Sequence, residues 1–258
     1  MKKEERINYI VNILSLQGIV RIRELSQRLG VSEMTIRRDL DSLAQANIAD
    51  LIPGGAVLKR NSSSDLGEEH YLFSAAGSQM IQEKIRICRK AASLIEANDT
   101  IAIDVGSTTE QLPQFIPSSF PLTITCFTLN ILFKVYGNEN WEITLTGGRF
   151  HRNTLMFESP EGVELIKKMR INKAFISAAG IDEKLGVTCA NHYEVETKKA
   201  AMKSSDTKIL LSDSSKFGKV KIAYFADLSD FDLIITDSNL DPYYQDIIRD
   251  LGLQLILV

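Results

Sequence analysis

Apolar residues recur at three- and four-residue intervals over residues 4–16, where Ile7, Ile10, Val11 and Leu14 fall on one side of a helix. Gly18 ends that pattern, and a second short helix is expected over residues 21–29 with Ile22, Leu25 and Leu29 inward. Gly30 breaks it. Ser32 then stands as an N-cap before a third helix over residues 34–46, with Ile36, Leu40 and Leu43 on its inner face. Residues 48–58, centred on Pro53-Gly54-Gly55, read as two short strands joined by a turn.

A polar, Ser-rich stretch without apolar periodicity covers residues 59–78, so we expect a linker there between a domain over 1–58 and a second over 79–258. In the second domain helices and short apolar strands alternate. A helix over 79–97 precedes strand 100–105, and strand 122–127 precedes a helix from Asn130. Strand 142–145 ends at Gly147-Gly148, and strand 174–177 leads into Ala178-Ala179-Gly180. Strands 208–211 and 233–236 end in Ser-Asp and Asp-Ser, and a last strand spans 253–258. Such alternation predicts a mostly parallel sheet covered by helices, so the fold class is α/β with a small helical head.

Composition narrows the function classes. The chain is 44% hydrophobic and 24% charged, ordinary for a globular protein, and no apolar run reaches eighteen residues. The charged start has no signal-peptide core, and three cysteines far apart (Cys88, Cys126, Cys189) form no disulfide framework; both favour the cytosol. Those thiols and three scattered histidines offer no metal spacing, so neither metal nor cofactor is expected. The net charge of −3 divides unevenly: residues 1–60 carry about +3 and the rest about −6, a basic head on an acidic body.

The head has the order of a helix-turn-helix, whose second helix enters the major groove of double-stranded DNA. Leu25, Leu29, Val31, Ile36 and Leu40 supply the inner faces; Arg21, Ser32, Glu33, Thr35, Arg37 and Arg38 are left to meet DNA. An arginine can grip a guanine through two hydrogen bonds, and hydroxyls at a helix start suit phosphate oxygens. A plain charged helix surface would explain an isolated Arg-Arg, but not this whole ordered pattern.

In the body, Asp104-Val105-Gly106-Ser107-Thr108-Thr109 follows an apolar strand and opens a helix, a turn of the kind that cradles phosphate. Gly147-Gly148 and Lys216 follow other strands, where ligands of open α/β sheets bind. Each loop also has a purely structural reading, as a capped turn or a solvated loop. Glu194 and Lys198, four residues apart on one expected helix, equally read as a surface ion pair.

Residues 29–40 followed by Gly54-Gly55-Ala56 resemble the signature of the DeoR family of bacterial sugar-metabolism repressors. That resemblance implies a winged helix-turn-helix that binds its operator as a homo-oligomer. Members usually carry a basic residue just before the Gly-Gly of the wing, whereas Leu51-Ile52-Pro53 stands here, which lowers the phosphate contact expected from the wing. The body resembles the DeoR sensor domain along its length, in residues 104–109, 145–148, 177–181, 186–189 and 213–218. That domain is similar to ribose-5-phosphate isomerase and CoA transferases, which implies a pocket for a phosphorylated sugar. On this resemblance Asn191, Glu194 and Lys198 match effector-loop positions, and Tyr193 replaces a residue that is acidic in many members. The run Thr188-Cys189-x-Asn191 looks nearest to the deoxyribose-responsive member, ranking a deoxyribose 5-phosphate type of effector first. Asn191 and Glu194 would meet sugar hydroxyls; residues 106–109 and Lys216 would take the phosphate.

The expected function is therefore a ligand-released repressor. A sugar-phosphate isomerase with an accessory head is the competing reading, with Asp104, Asp213 and Glu194 as acid–base candidates. Activation of transcription would use the same head.

Overall fold

The computed structural model describes residues 6, 7, 9–11, 13, 14, 19–45, 48–58 and 80–258, and the expected linker over 59–78 lies outside them. The chain divides into two compact units, Met1–Gly67 and Glu68–Val258.

In the first unit the described residues between 6 and 14 are helical. Strand β1 (Ile19–Arg21), helix α1 (Ile22–Leu29), helix α2 (Glu33–Gln45) and strands β2 (Ala49–Ile52) and β3 (Gly55–Leu58) follow. The three strands form one antiparallel sheet in the order β1-β3-β2. Of the residues read as inward, Ile10, Leu14, Ile22, Leu25, Ile36, Leu40 and Leu43 are buried in a single core with Val20, Ala49 and Ala56, and Ile7, Val11, Leu29 and Val31 pack against it half-buried. One expectation is corrected. Arg21 does not start a helix; it ends β1 in extended conformation, with α1 beginning one residue later. Val20 is buried between exposed Ile19 and Arg21, a period-2 signal too short to read against the helical pattern behind it.

The second unit is built on a seven-stranded parallel sheet in the order β15-β14-β12-β9-β4-β5-β6. Its strands are β4 (Thr100–Ile103), β5 (Leu122–Cys126), β6 (Trp141–Leu145), β9 (Ile171–Ser177), β12 (Ser205–Leu211), β14 (Leu233–Thr236) and β15 (Gln254–Leu257). Helices α3 (Ile81–Ala92) and α4 (Leu129–Val135) cover one face, and α5 (Pro160–Lys168), α6 (Val195–Lys203) and α7 (Pro242–Asp250) the other. Alternate strand residues feed opposite cores: Ala174 and Ile176 pack on the second face, Phe175 on the first. Burial on both faces is why these strands read as continuous apolar runs. Helix α3 ends at Ala92, short of the expected Ala97, as the chain turns before Asn98, which has φ 71.

Two antiparallel additions escaped the sequence reading. Strands β7 (Arg149–His151) and β8 (Met156–Glu158) form a hairpin; β10 (Gly180–Asp182), β11 (Gly186–Cys189) and β13 (Ala223–Ala226) form a small sheet. Strands of three or four residues are too short to establish a period.

The first strand of this unit, β4, lies inside the sheet. The chain leaves it for β5 and β6 on one side, then crosses to β9 on the other and continues outward. The loops leaving β4 and β9 therefore diverge, and it is beyond the carboxyl ends of such a strand pair that open α/β sheets form the crevice that holds ligands.

Candidate functional sites

The exposed side of α2 is built from its first residue. Ser32 Oγ accepts from the Thr35 backbone N–H at 3.2 Å and lies 2.9 Å from Thr35 Oγ1, capping the helix. Glu33, Arg37 and Arg38 are exposed, while Ile36 and Leu40 point inward. Arg21, at the end of β1 and paired with Gly55 of β3, is exposed as well. Asp39, next to the two arginines, is buried. It accepts from Arg6 of the first helix at 2.5 and 3.1 Å, and this bond raises the guanidinium pKa. The acidic member of the Arg-Arg-Asp run thus holds the helices together and leaves its two cations outward.

In the body, four polar side chains meet at the crevice. Asp104 leaves the end of β4, Ser177 ends β9, Lys198 projects from α6, and Glu194 sits in the single 3-10 turn before that helix. Lys198 is fully buried and donates to Asp104 Oδ2 and, at 3.1 Å, to the Ser177 carbonyl; its Nζ lies 3.9 Å from Glu194. Of the two readings of Glu194 and Lys198, the surface ion pair does not hold: the lysine turns inward to a carboxylate 94 residues away. Burial disfavours its charge, but Asp104 and Glu194 outweigh burial and hold its pKa above the usual value. Burial also lifts the Glu194 pKa, against the pull of Lys198 and Asn191.

Asp104 Oδ2 further accepts from the Ser177 N–H at 2.9 Å, whereas buried Oδ1 has no hydrogen-bond partner among the described residues. Such an oxygen favours a donor from a ligand. The Thr109 hydroxyl donates to the carbonyls of Asp104 and Gly106 at 2.7 and 3.1 Å and so fixes the turn. Thr109 begins a 3-10 helix, Thr109–Phe115, where a helix was expected; Thr108 is buried beside it, and Ser107 is partly exposed. Gly106 passes so close to β9 that a Cβ there would meet Ser177 Oγ at 2.2 Å.

The effector-loop residues form a chain of bonds. Asn191 Nδ2 donates to Glu194 at 2.7 Å, Asn153 Nδ2 lies 3.5 Å from Asn191 Oδ1, and the Tyr193 hydroxyl donates to Asn153 Oδ1 at 2.8 Å. The Tyr193 ring stacks on His151 at 3.6 Å, so the loop docks on the β7–β8 hairpin. Gly147 and Gly148 lead into that hairpin. Gly148 has φ 115, and a Cβ would meet the Glu158 carbonyl at 2.3 Å, so the pair shapes the hairpin. Lys216 stands in the turn Ser214–Lys216, which Asp213 caps.

Three contributors were not singled out from the sequence: Ser177, Asn153 and Lys84. Lys84 is fully buried in the first turn of α3, where burial lowers its pKa to about 8 against the field of Asp213. Its phase was a readable signal, because Lys84 precedes buried Ile87 and Cys88 by three and four residues on the helix's inner stripe.

A winged helix-turn-helix presenting cations, on one chain with an α/β unit that encloses charged groups, has the make-up of a DNA-binding transcription regulator. Residues 6–62 match the DeoR-like helix-turn-helix domain and residues 79–238 the DeoR C terminal sensor domain. The chain belongs to the DeoR family. It is 34% identical over 236 residues to the deoxyribose operon repressor of Escherichia coli, covering 92% of this chain and 91% of that protein. It is 32% identical to the lactose phosphotransferase system repressor of Streptococcus mutans, covering 95% and 96%. Among solved structures, ribose 5-phosphate isomerase from Plasmodium falciparum has a TM-score of 0.39 and 17% identity, covering 54% of this chain and 53% of that one. With relatives of this kind along its length, the chain is a DNA-binding transcriptional regulator and not an enzyme. Among the described residues no helix is long and apolar enough to cross a membrane.

Proposed function

We propose that the protein represses a sugar or deoxyribonucleoside catabolic operon in the cytosol and leaves its operator when a phosphorylated sugar fills the crevice beyond β4 and β9. Helix α2 enters the major groove, with Arg37 and Arg38 toward bases and phosphates and Ser32, Glu33, Thr35 and Arg21 around them. The sugar hydroxyls meet Asn191, Glu194 and Asp104, while the turn at Gly106, Ser107 and Thr108, with Lys216, takes the phosphate. The observation that carries this reading is the buried Asp104–Lys198–Glu194 cluster with one carboxylate oxygen unpaired. A deoxyribose 5-phosphate type of effector ranks first, on the similarity to the deoxyribose operon repressor. Paired half-sites call for at least two copies of the chain.

The test is a titration of the protein against DNA from its own upstream region, repeated with a panel of sugar phosphates. Release by deoxyribose 5-phosphate, but not by deoxyribose or inorganic phosphate, is expected. Specific binding that no sugar phosphate alters would discard the pocket assignment and keep the head.

A further inference from the structure

The first turn of α3 carries a lysine where its inner stripe calls for an apolar residue. Lys84 is fully buried, four residues before Cys88 on the same face of the helix. Cys88 Sγ donates to the Thr108 carbonyl at 2.9 Å, so this face of α3 packs on the turn at residues 106–108. The N–H groups of Gly106, Ser107 and Thr108 donate to no acceptor among the described residues. Successive N–H groups left open in a turn form a concavity that holds an anion.

The charges nearby fit the same kind of ligand. Lys216, half-buried beyond β12, lowers the Lys84 pKa, so the two cations lie within reach of each other's field. Like charges brought together away from water are unfavourable unless an anion joins them. Asp213 eases the repulsion, but its oxygens are directed elsewhere. Oδ1 accepts from the Ser215 N–H at 3.1 Å and from the Ser215 hydroxyl, and buried Oδ2 has no hydrogen-bond partner among the described residues. Glu110 of the 3-10 helix also acts on Lys84, and it lies 3.3 Å from Lys134. Asp237, beyond β14, accepts from Ser214 and from the Asn239 N–H.

We propose that Lys84 is a phosphate ligand of the sensor and, with Lys216, clamps a dianionic phosphate against the N–H groups of residues 106–108. One cation is desolvated and the other half-exposed, a pairing that selects a doubly charged group over an unphosphorylated sugar. The proposal deepens the phosphorylated-sugar reading above and rests on it. Its consequence is proton-linked sensing. Burial lowers the Lys84 pKa to about 8, and a dianion beside the ammonium raises it again. Above that pH, binding draws a proton onto the lysine, and affinity falls as pH rises. A phosphate monoester, with a second pKa of about 6, is already a dianion there.

The test is calorimetric titration of the full chain with deoxyribose 5-phosphate, ribose 5-phosphate and inorganic phosphate. At pH 8.5, in two buffers of different ionisation enthalpy, wild type should take up about 0.7 proton per phosphate bound. From pH 7.5 to 9.5 its affinity should fall about tenfold or more, whereas Lys84→Arg, which keeps its charge, should bind with little pH dependence. Lys84→Met should bind at least about tenfold more weakly at pH 7.5. Binding without proton uptake, undiminished in Lys84→Met, would overturn the role of Lys84 and leave the sugar-phosphate reading standing. Weaker binding by Lys84→Met, with no proton uptake by wild type, would make the lysine a structural prop and also overturn the proposal. A wild type that binds none of the three compounds would end both.

Discussion

Lys198 and Asp104 form a fully buried ion pair across the switch point of the parallel sheet, one from α6 and the other from the end of β4. The pair joins the two halves of the sensor fold, because β4 begins the strands on one side and α6 lies between β9 and β12 on the other.

Removing both partners should cost less than the two single removals added together. Lys198→Met strands the Asp104 carboxylate in the interior, and broken buried pairs of this kind cost about 3–5 kcal/mol. Asp104→Asn with Lys198→Met removes both charges, and its cost should fall short of the sum of the singles by about 1–3 kcal/mol. Urea unfolding of the four proteins gives the cycle. Additive costs would mean that the two groups are not coupled.

Lys84 makes stability depend on alkaline pH. Its folded-state pKa is lowered from 10.5 to about 8, mainly by burial. Between those values the unfolded chain holds a proton that the folded chain has released, so this group's contribution to stability rises with pH across that window. The three buried thiols act in the opposite sense. Their pKa values are raised from 9.0 to about 12, so stability falls as pH climbs through that interval. Comparing wild type with Lys84→Met cancels the thiols, and the difference should move in favour of wild type from pH 8 to 10. A difference that stayed flat would show that Lys84 titrates as an ordinary exposed lysine.

How much of this was legible depended on the range of the forces involved. The helices of the head were readable because Ile36, Leu40 and Leu43 bury one face at helical spacing, a local property. The parallel sheet was readable for the same kind of reason, since runs such as 209–211 are buried on both faces. The spacing of Glu194 and Lys198 left a surface ion pair and a pocket position both open, because it describes only their own helix, while the depth of Lys198 is set by Asp104, 94 residues earlier. Arg21 was misread because one buried Val20 is all that separates a three-residue strand from a helix start. The Asn191, Glu194 and Lys198 assignments came from family resemblance, and only the fold supplied Asn153 and Ser177 as their bonding partners.

Arg37 and Arg38 should separate into different kinds of contact. Both are exposed on α2, and Asp39 between them and the core holds the helix in place without facing solvent. Loss of a phosphate contact weakens binding to all sequences and lowers the salt slope by about 1; loss of a base contact costs about 1–3 kcal/mol on the specific site alone. Arg37→Ala and Arg38→Ala, measured by fluorescence anisotropy on operator and unrelated DNA at several salt concentrations, distinguish the two. Unchanged affinity in both variants would displace α2 as the recognition helix.

Tyr193 provides the sharpest test of how the effector loop is held. Its hydroxyl donates to Asn153 at 2.8 Å and lies 3.1 Å from Thr154 Oγ1, while its ring stacks on His151. Tyr193→Phe keeps the stack and removes the hydroxyl. The loss of a hydrogen bond of this kind costs about 1 kcal/mol. Through Asn153 and Asn191 the change reaches Glu194, so it should raise the sugar-phosphate concentration needed for operator release about fivefold, by roughly 1 kcal/mol, with operator affinity unchanged. Tyr193→Ala removes the stack as well and should raise that concentration further. If Tyr193→Phe instead altered operator affinity and left the response to sugar phosphate intact, the loop would be a structural brace and not a wall of the effector pocket.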